Sequence, residues 1–147
     1  MQAWVTGGVG FVGTNLIKRL LKDGHDVTSF DNYSTGFKKN EQQGCRYVNV
    51  DVSKSLIDGG EFDIIFHMAA LARIQPSIKN PKDTIKNNFD STLNVLEYAR
   101  KHGNIPVVYA GSSSYHHGLY GSPYAWSKYG GEELCKLYGE VYDLNTI

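Results

Sequence analysis

Short apolar runs alternate with helically spaced apolar positions along the whole chain. The run "AWVT" (3–6) opens the series and leads into glycines. Residues 11–23 then place Val12, Leu16, Ile17, Leu20 and Leu21 on one helical face, with Gly24 where the helix should end. "DVTSFD" (26–31) and "RYVNVD" (46–51) predict a second and a third strand. "FDIIFHMA" (62–69) predicts a fourth, so evenly apolar that it suits a sheet covered on both faces. A long helix follows, with Asn80 as N-cap, Pro81 in its first turn, a stripe of Ile85, Phe89, Leu93 and Leu96, and Gly103 past its end. "IPVVYAG" (105–111) predicts a fifth strand. Ser122 and Pro123 open a last helix running to about Glu140, and "LNTI" begins another strand.

Strand–helix alternation of this kind predicts an α/β fold: a doubly wound parallel sheet, Rossmann-like, in three α/β/α layers with right-handed crossovers. The 147 residues are expected to form one domain, 1–147. A net charge of zero, with no long Lys/Arg run, argues against a nucleic-acid partner. No apolar stretch is long enough for a bilayer, which argues against a membrane partner, and Cys45 and Cys135 fit neither a disulfide nor a metal spacing. A cytoplasmic protein with reduced thiols and no bound metal is the expectation.

Residues 6–13, "TGGVGFVG", place Gly7, Gly10 and Gly13 directly after the first strand. Glycine there lets the chain turn sharply, lets its backbone approach a pyrophosphate, and lets a helix pack closely on a strand. The helix N-terminus then offers amide donors and a positive dipole end. Alone, the triplet also fits an ordinary tight turn. Asp31, eighteen residues beyond Gly13 at the end of the second strand, favours the dinucleotide reading, because a carboxylate there accepts ribose hydroxyls. It would also repel a 2′-phosphate, so NAD is expected over NADP.

The stretch "GSPYAWSKYGGEEL" (121–134) sets Tyr124 in the first turn of the last helix and Lys128 one turn on, on the same face. A free phenol titrates near pH ~10; a neighbouring ammonium and a positive helix end both favour its ionised form. A serine-rich strand end, "AGSSS" (110–114), precedes this pair.

With these motifs in this order, the chain resembles the N-terminal part of the extended short-chain dehydrogenase/reductase family, the NAD-dependent epimerase/dehydratase group acting on nucleotide sugars. "TGGVGFVG", "DNYSTG" (31–36), "DV" (51–52), "HMAALA" (67–72), "NFDSTLNVLEYAR" (88–100), "YAGSSS" and "SPYAWSK" carry the resemblance. UDP-glucose 4-epimerase-like and UDP-glucuronate decarboxylase-like enzymes are the most similar in character. The resemblance implies that Gly7, Gly10, Phe11, Val12 and Gly13 hold the pyrophosphate, Asp31 and Asn32 the adenosine ribose, and Asp51 and Val52 the adenine side. It implies that Ala69, Ala70 and Ala72 line the cofactor and that Asn88 faces the active site. Tyr124 would accept a proton from a sugar hydroxyl as hydride passes to NAD. Lys128 would lower its pKa and bond the nicotinamide ribose. A serine would bond the reacting oxygen, with Ser113 the first choice, Ser112 the second, and Ser114 not excluded.

Two departures qualify what is implied. The Val-Tyr-Gly usual after the serines is replaced by His116-His117-Gly118, read as a solvated loop, which puts substrate contacts there in doubt. The chain ends at Ile147, where family members continue into a smaller substrate domain, so a UDP-sugar is expected to bind poorly even if NAD binds. A non-catalytic NAD-binding module and an NADP-dependent reductase remain the rival readings. A homodimer through the 81–102 and 123–140 helices is expected. The Gly130-Gly131 pair marks either a close contact or a bend.

Overall fold

Alternate residues of the first strand set the layering. Ala3 and Val5 face one side of the sheet and Trp4 the other, and all three are fully buried. The computed structural model describes residues 1–55 and 60–147. Its strands are β1 (Gln2–Thr6), β2 (Asp26–Asp31), β3 (Cys45–Asn49), β4 (Ile64–His67) and β5 (Val107–Tyr109). They run parallel in the order β3-β2-β1-β4-β5, so the expected doubly wound sheet is present.

Helix α1 (Phe11–Lys22) covers one face, where Ile17 and Leu20 pack with Ala3, Val5 and Val27. Helices α2 (Ile74–Lys79), α3 (Pro81–Lys101) and α4 (Pro123–Tyr142) follow β4 and β5. The larger core holds Trp4, Phe30 and Ile65 from the sheet, Val95, Leu96 and Tyr98 from α3, and Cys135 and Tyr138 from α4. The Trp4 ring centres it, with ring centroids 4.8 Å from Phe30 and 4.9 Å from Tyr98. Both cysteines are free thiols. Beyond α4, Val107 donates to the carbonyl of Asn145 and Ile147 to that of Val107, so residues 145–147 begin a strand beside β5, as "LNTI" suggested.

Several local expectations shift. Val12 is more than half exposed: it stands in the first turn of α1 and lines a cleft. In α3, Ile85, Phe89 and Leu93 are only half-buried, while Thr84, Asn88, Ser91 and Thr92 are buried. Apolar periodicity overlooked these polar residues because it does not anticipate that they find partners: Ser91 and Thr92 both donate to the Asn88 carbonyl. Asn80 precedes α3 as expected, but its side chain makes no capping bond. Helix α2 was not predicted; Pro76 stands at its third position, where its missing N–H is not needed. Ser122 caps α4 as expected, accepting the Ala125 N–H at 3.0 Å, and Pro123 starts it.

The Gly130-Gly131 pair is a close contact within the chain. An added Cβ on Gly131 would lie 2.2 Å from the Tyr109 Oη, and one on Gly130 would lie 3.3 Å from the Phe89 ring. Tyr138 is core, whereas Leu137 is half exposed. Among the described residues, no helix is long and apolar enough to cross a membrane.

Candidate functional site

The chain leaves β1 towards β2 and β3 and then crosses to β4 on the other side of β1. The winding therefore reverses between β1 and β4, and the segments after them part to form a crevice at their C-terminal ends. Thr6 pairs with His67 at this edge, and the walls are built from Gly7 and Met68 onward.

Three glycines shape one wall in different ways. Gly7 has a φ of +72, and a Cβ there would lie 2.8 Å from the Ala69 backbone; only glycine admits this turn and this contact. A Cβ on Gly13 would lie 2.2 Å from the Gly7 carbonyl oxygen, so the helix start could not seat on the loop. Gly10 is the least crowded, with only the Gly7 carbonyl at 3.3 Å, and it lines the cleft. Its missing side chain keeps the cleft open. Gly8, outside the triplet, is also constrained: a Cβ would lie 2.0 Å from the Ser29 Oγ.

The first bond of α1 runs from the Thr14 N–H to the Gly10 carbonyl at 2.9 Å. The amides of Phe11, Val12 and Gly13 thus have no acceptor within the helix, no side chain among the described residues caps them, and no acid stands in the first turn. These residues line a cleft of about 530 Å³ shared with Ala70, Ala72 and Arg73. Uncapped donors at a positive helix end fit the diphosphate of a dinucleotide.

The cleft continues past Asp31, Asn32, Asp51, Val52, Ala69 and Ala70. Asp31 Oδ2 accepts the Val9 N–H at 3.0 Å and Oδ1 accepts the Tyr33 N–H at 2.8 Å. The carboxylate is thereby fixed, with acceptor capacity left for ribose hydroxyls. Asn32 Oδ1 accepts the Ser34 N–H. Asp51 accepts the Ser53 N–H and Oγ–H, and the Val52 carbonyl is held by Asn94 Nδ2 at 2.9 Å.

A second depression adjoins the first through Ala72, Arg73 and Pro76, and it brings Tyr124 together with Ser112, Ser113 and Ser114. Ser112 Oγ accepts the Ser114 N–H and bonds its hydroxyl, while Ser113 is exposed. The segment read as a solvated loop is a 3-10 turn over Ser113–His117, ended by Gly118 at a φ of +122. The Tyr124 N–H donates to Ser77 Oγ at 3.2 Å, which ties the start of α4 to α2.

Asn88 and Lys128 lie behind these walls. Asn88 is 2% exposed; its Oδ1 accepts the Leu71 N–H at 2.7 Å and its Nδ2 donates to Ser127 Oγ at 3.0 Å. Its side chain therefore supports the 70–72 wall, while the neighbouring Asn87 lines the cleft. Lys128 is 4% exposed, with Nζ 3.9 Å from the centroid of the Tyr109 ring. Burial pulls this ammonium down to about 8, against the upward pull of Cys135 and Glu132.

His67 is a site residue that motif reading did not single out. Thr92 Oγ1 donates to the Asn88 carbonyl, so it accepts from His67 Nε2 at 3.1 Å. His67 Nδ1 then accepts the Thr6 hydroxyl at 2.8 Å, and Thr6 Oγ1 accepts the Ala69 N–H. One neutral tautomer is fixed, and it locks the wall after β4 to the glycine strand. Burial first, and Lys128 second, push this imidazole down to about 3. The polar ends of two apolar strands, Thr6 and His67, were the signal available in the sequence.

The profile of the NAD dependent epimerase/dehydratase family matches residues 3–147. The putative UDP-glucose 4-epimerase of Methanocaldococcus jannaschii is 32% identical over 95% of this chain and 52% of its own length. UDP-glucuronic acid decarboxylase 1 of Danio rerio is 39% identical over 67% of this chain and 24% of its own length. The crystal structure of the UDP-glucose 4-epimerase of Thermus thermophilus in complex with NAD superposes with a TM-score of 0.84 at 29% identity, covering 99% of this chain and 53% of that one. The chain thus spans about half the length of the curated epimerases it matches.

Proposed function

Because the chain belongs to the NAD dependent epimerase/dehydratase family, we propose that it is the cofactor-binding and catalytic half of a nucleotide-sugar epimerase- or dehydratase-type enzyme, with NAD as cofactor and a UDP-sugar as substrate. The observation that carries this reading is the run of the cleft. It passes from the uncapped amides of Phe11, Val12 and Gly13 to Asp31 in one direction, and towards Tyr124 and the serines in the other.

In this reading the Phe11–Gly13 amides hold the pyrophosphate, Asp31 and Asn32 the adenosine ribose, Asp51 and Val52 the adenine side, and Ala69, Ala70 and Ala72 the face of the cofactor. NAD, when bound, supplies the hydride acceptor for a sugar carbon. Tyr124 Oη takes the proton from that carbon's hydroxyl. A serine of the 112–114 segment, Ser113 in the first instance, donates a hydrogen bond to the same oxygen. Lys128 favours the phenolate through its charge, and to bond the nicotinamide ribose its ammonium would have to swing out from over the Tyr109 ring, behind the cleft wall. Asn88 keeps the 70–72 wall in place. Self-association through α3 and α4 belongs to the same proposal, supported by the exposure of Trp126, Leu137 and Val141 on α4. A monomer by light scattering at high concentration would remove that part.

The test is calorimetric titration with NAD, followed by addition of UDP-glucose and UDP-glucuronate while NADH absorbance and product are monitored. Saturable NAD binding, and turnover lost in Tyr124→Phe, are expected. NAD binding with no turnover in either form would instead favour the non-catalytic module. A preference for NADPH would favour the reductase and contradict the role given to Asp31.

A further inference from the structure

The face of α4 that carries Tyr124 and Lys128 carries Glu132 one turn further on. The Glu132 side chain reaches across to the segment after β5, where its Oε1 accepts the Ser112 N–H at 3.2 Å. Gly111 makes room for it, since a Cβ there would lie 2.9 Å from that same oxygen. Ser112 is the residue whose hydroxyl caps the 3-10 turn and bonds Ser114. One carboxylate on α4 therefore sets where the serine segment stands relative to Tyr124.

Lys128 lies between Tyr124 and Glu132 along this face. The titratable groups around it are His67 from β4, Tyr109 from β5, and Tyr124, Cys135 and Glu132 from α4 itself. Asn88 and Thr92, the α3 residues bonded into this region, carry no charge. His67 is neutral, and burial raises the Tyr109 phenol and pushes the Cys135 thiol up to about 11. Glu132 is thus the carboxylate of this set, and it opposes the desolvation of the ammonium.

We propose that Glu132 is a positioning residue: it tethers the serine segment through the Ser112 amide and supplies the counter-charge of buried Lys128. The assignment deepens the reading above and rests on it for its role in the reaction. Both physical effects belong to the chain without ligand and are measured there.

Three variants separate the effects. Glu132→Gln keeps the shape and an acceptor oxygen but removes the charge. Glu132→Ala removes both. Gly111→Ala displaces the carboxylate without changing any charge. The first readout is the titration of the Lys128 side chain by NMR, assigned through its absence in Lys128→Met. The second is hydrogen exchange at the Ser112 amide.

Glu132→Gln should lower the Lys128 midpoint from about 8 by roughly one pH unit while leaving Ser112 exchange unchanged. Glu132→Ala and Gly111→Ala should each speed Ser112 exchange by about tenfold or more. An unmoved Lys128 midpoint in Glu132→Gln overturns the counter-charge role. Unchanged exchange in both alanine variants overturns the tether. If Glu132→Ala does not fold, Glu132→Gln and Gly111→Ala still decide both points. Failure of NAD to bind would remove the proposed function and leave these two results standing.

Discussion

Lys128 lies over the ring of Tyr109 with its Nζ 3.9 Å from the ring centroid. This contact favours the cation, yet burial dominates and brings the ammonium down to about 8 from an ordinary value of 10.5. Above pH 8 the folded chain releases this proton while the unfolded chain keeps it, so the contribution of Lys128 to stability rises with pH. Above pH ~10 the tyrosines reverse the slope, because Tyr109 stays protonated in the fold longer than in the unfolded chain. The thiols of Cys45 and Cys135, raised by burial to about 11, pull the other way from about pH 9 upward, so urea unfolding of the ligand-free chain should show its stability rising by about 2–3 kcal/mol relative to that of Lys128→Met between pH 8 and 10. Lys128→Met should keep only the downward slope of the thiols in that window, and the variant should be the more stable below pH 8. Equal slopes in the two proteins would contradict the assignment.

Gly131 and Gly130 should respond differently to alanine. Alanine is favoured over glycine by about 1 kcal/mol inside a helix. At Gly130 the added methyl meets the half-buried Phe89 ring, which has room to yield, so the net change should stay within about 1 kcal/mol. At Gly131 it would meet the Tyr109 hydroxyl at 2.2 Å, beneath the helix that carries Lys128. Overpacking of that kind costs about 1–3 kcal/mol. Denaturant midpoints in which Gly131→Ala is no worse than Gly130→Ala would show that α4 does not seat on β5 as described.

The buried imidazole of His67 predicts loss of stability in acid. Its folded pKa, about 3, lies below the ordinary 6.5, so from pH 6.5 downward the unfolded chain gains a proton that the folded chain refuses. Stability falls as pH drops through that window. Glu97, held down to about 2 by Arg100, then Tyr138 and Lys101, adds a further loss below pH 4.5. The separating measurement is NMR of the His67 ring, whose nitrogen signals should remain those of the neutral Nε2–H form down to about pH 4. A ring that titrates near 6.5 in the folded protein would mean that the Thr6–His67–Thr92 chain is not formed.

How far the sequence could be read depended on the kind of residue. Glycine punctuation, Pro123 behind Ser122, and the apolar runs marked the strands, the turn before α1 and the start of α4, because each reflects a local backbone constraint. That Gly7, Gly10, Gly13 and Asp31 stand in the turn after β1, at the start of α1 and at the end of β2 was readable for the same reason. What could not be read were the tertiary partners of polar residues. Asn88 looked like a cleft residue, but its amide is used by Leu71 and Ser127. Gly130 and Gly131 left open whether α4 bends or packs, since the answer lies in Phe89 and Tyr109, residues distant in sequence. The spacing of Glu132 from Lys128 was visible, whereas its bond to the Ser112 amide depends on how β5 and α4 meet.

Isothermal titration of the chain with NAD tests the central claim most directly. The account predicts saturable one-site binding that weakens by at least about tenfold in Asp31→Ala, where the ribose loses a charged acceptor worth roughly 1.5–3 kcal/mol, and that is abolished in Gly10→Val, where a branched side chain enters the cleft. A titration with no heat at any temperature, together with an unchanged thermal midpoint at saturating NAD, would contradict it.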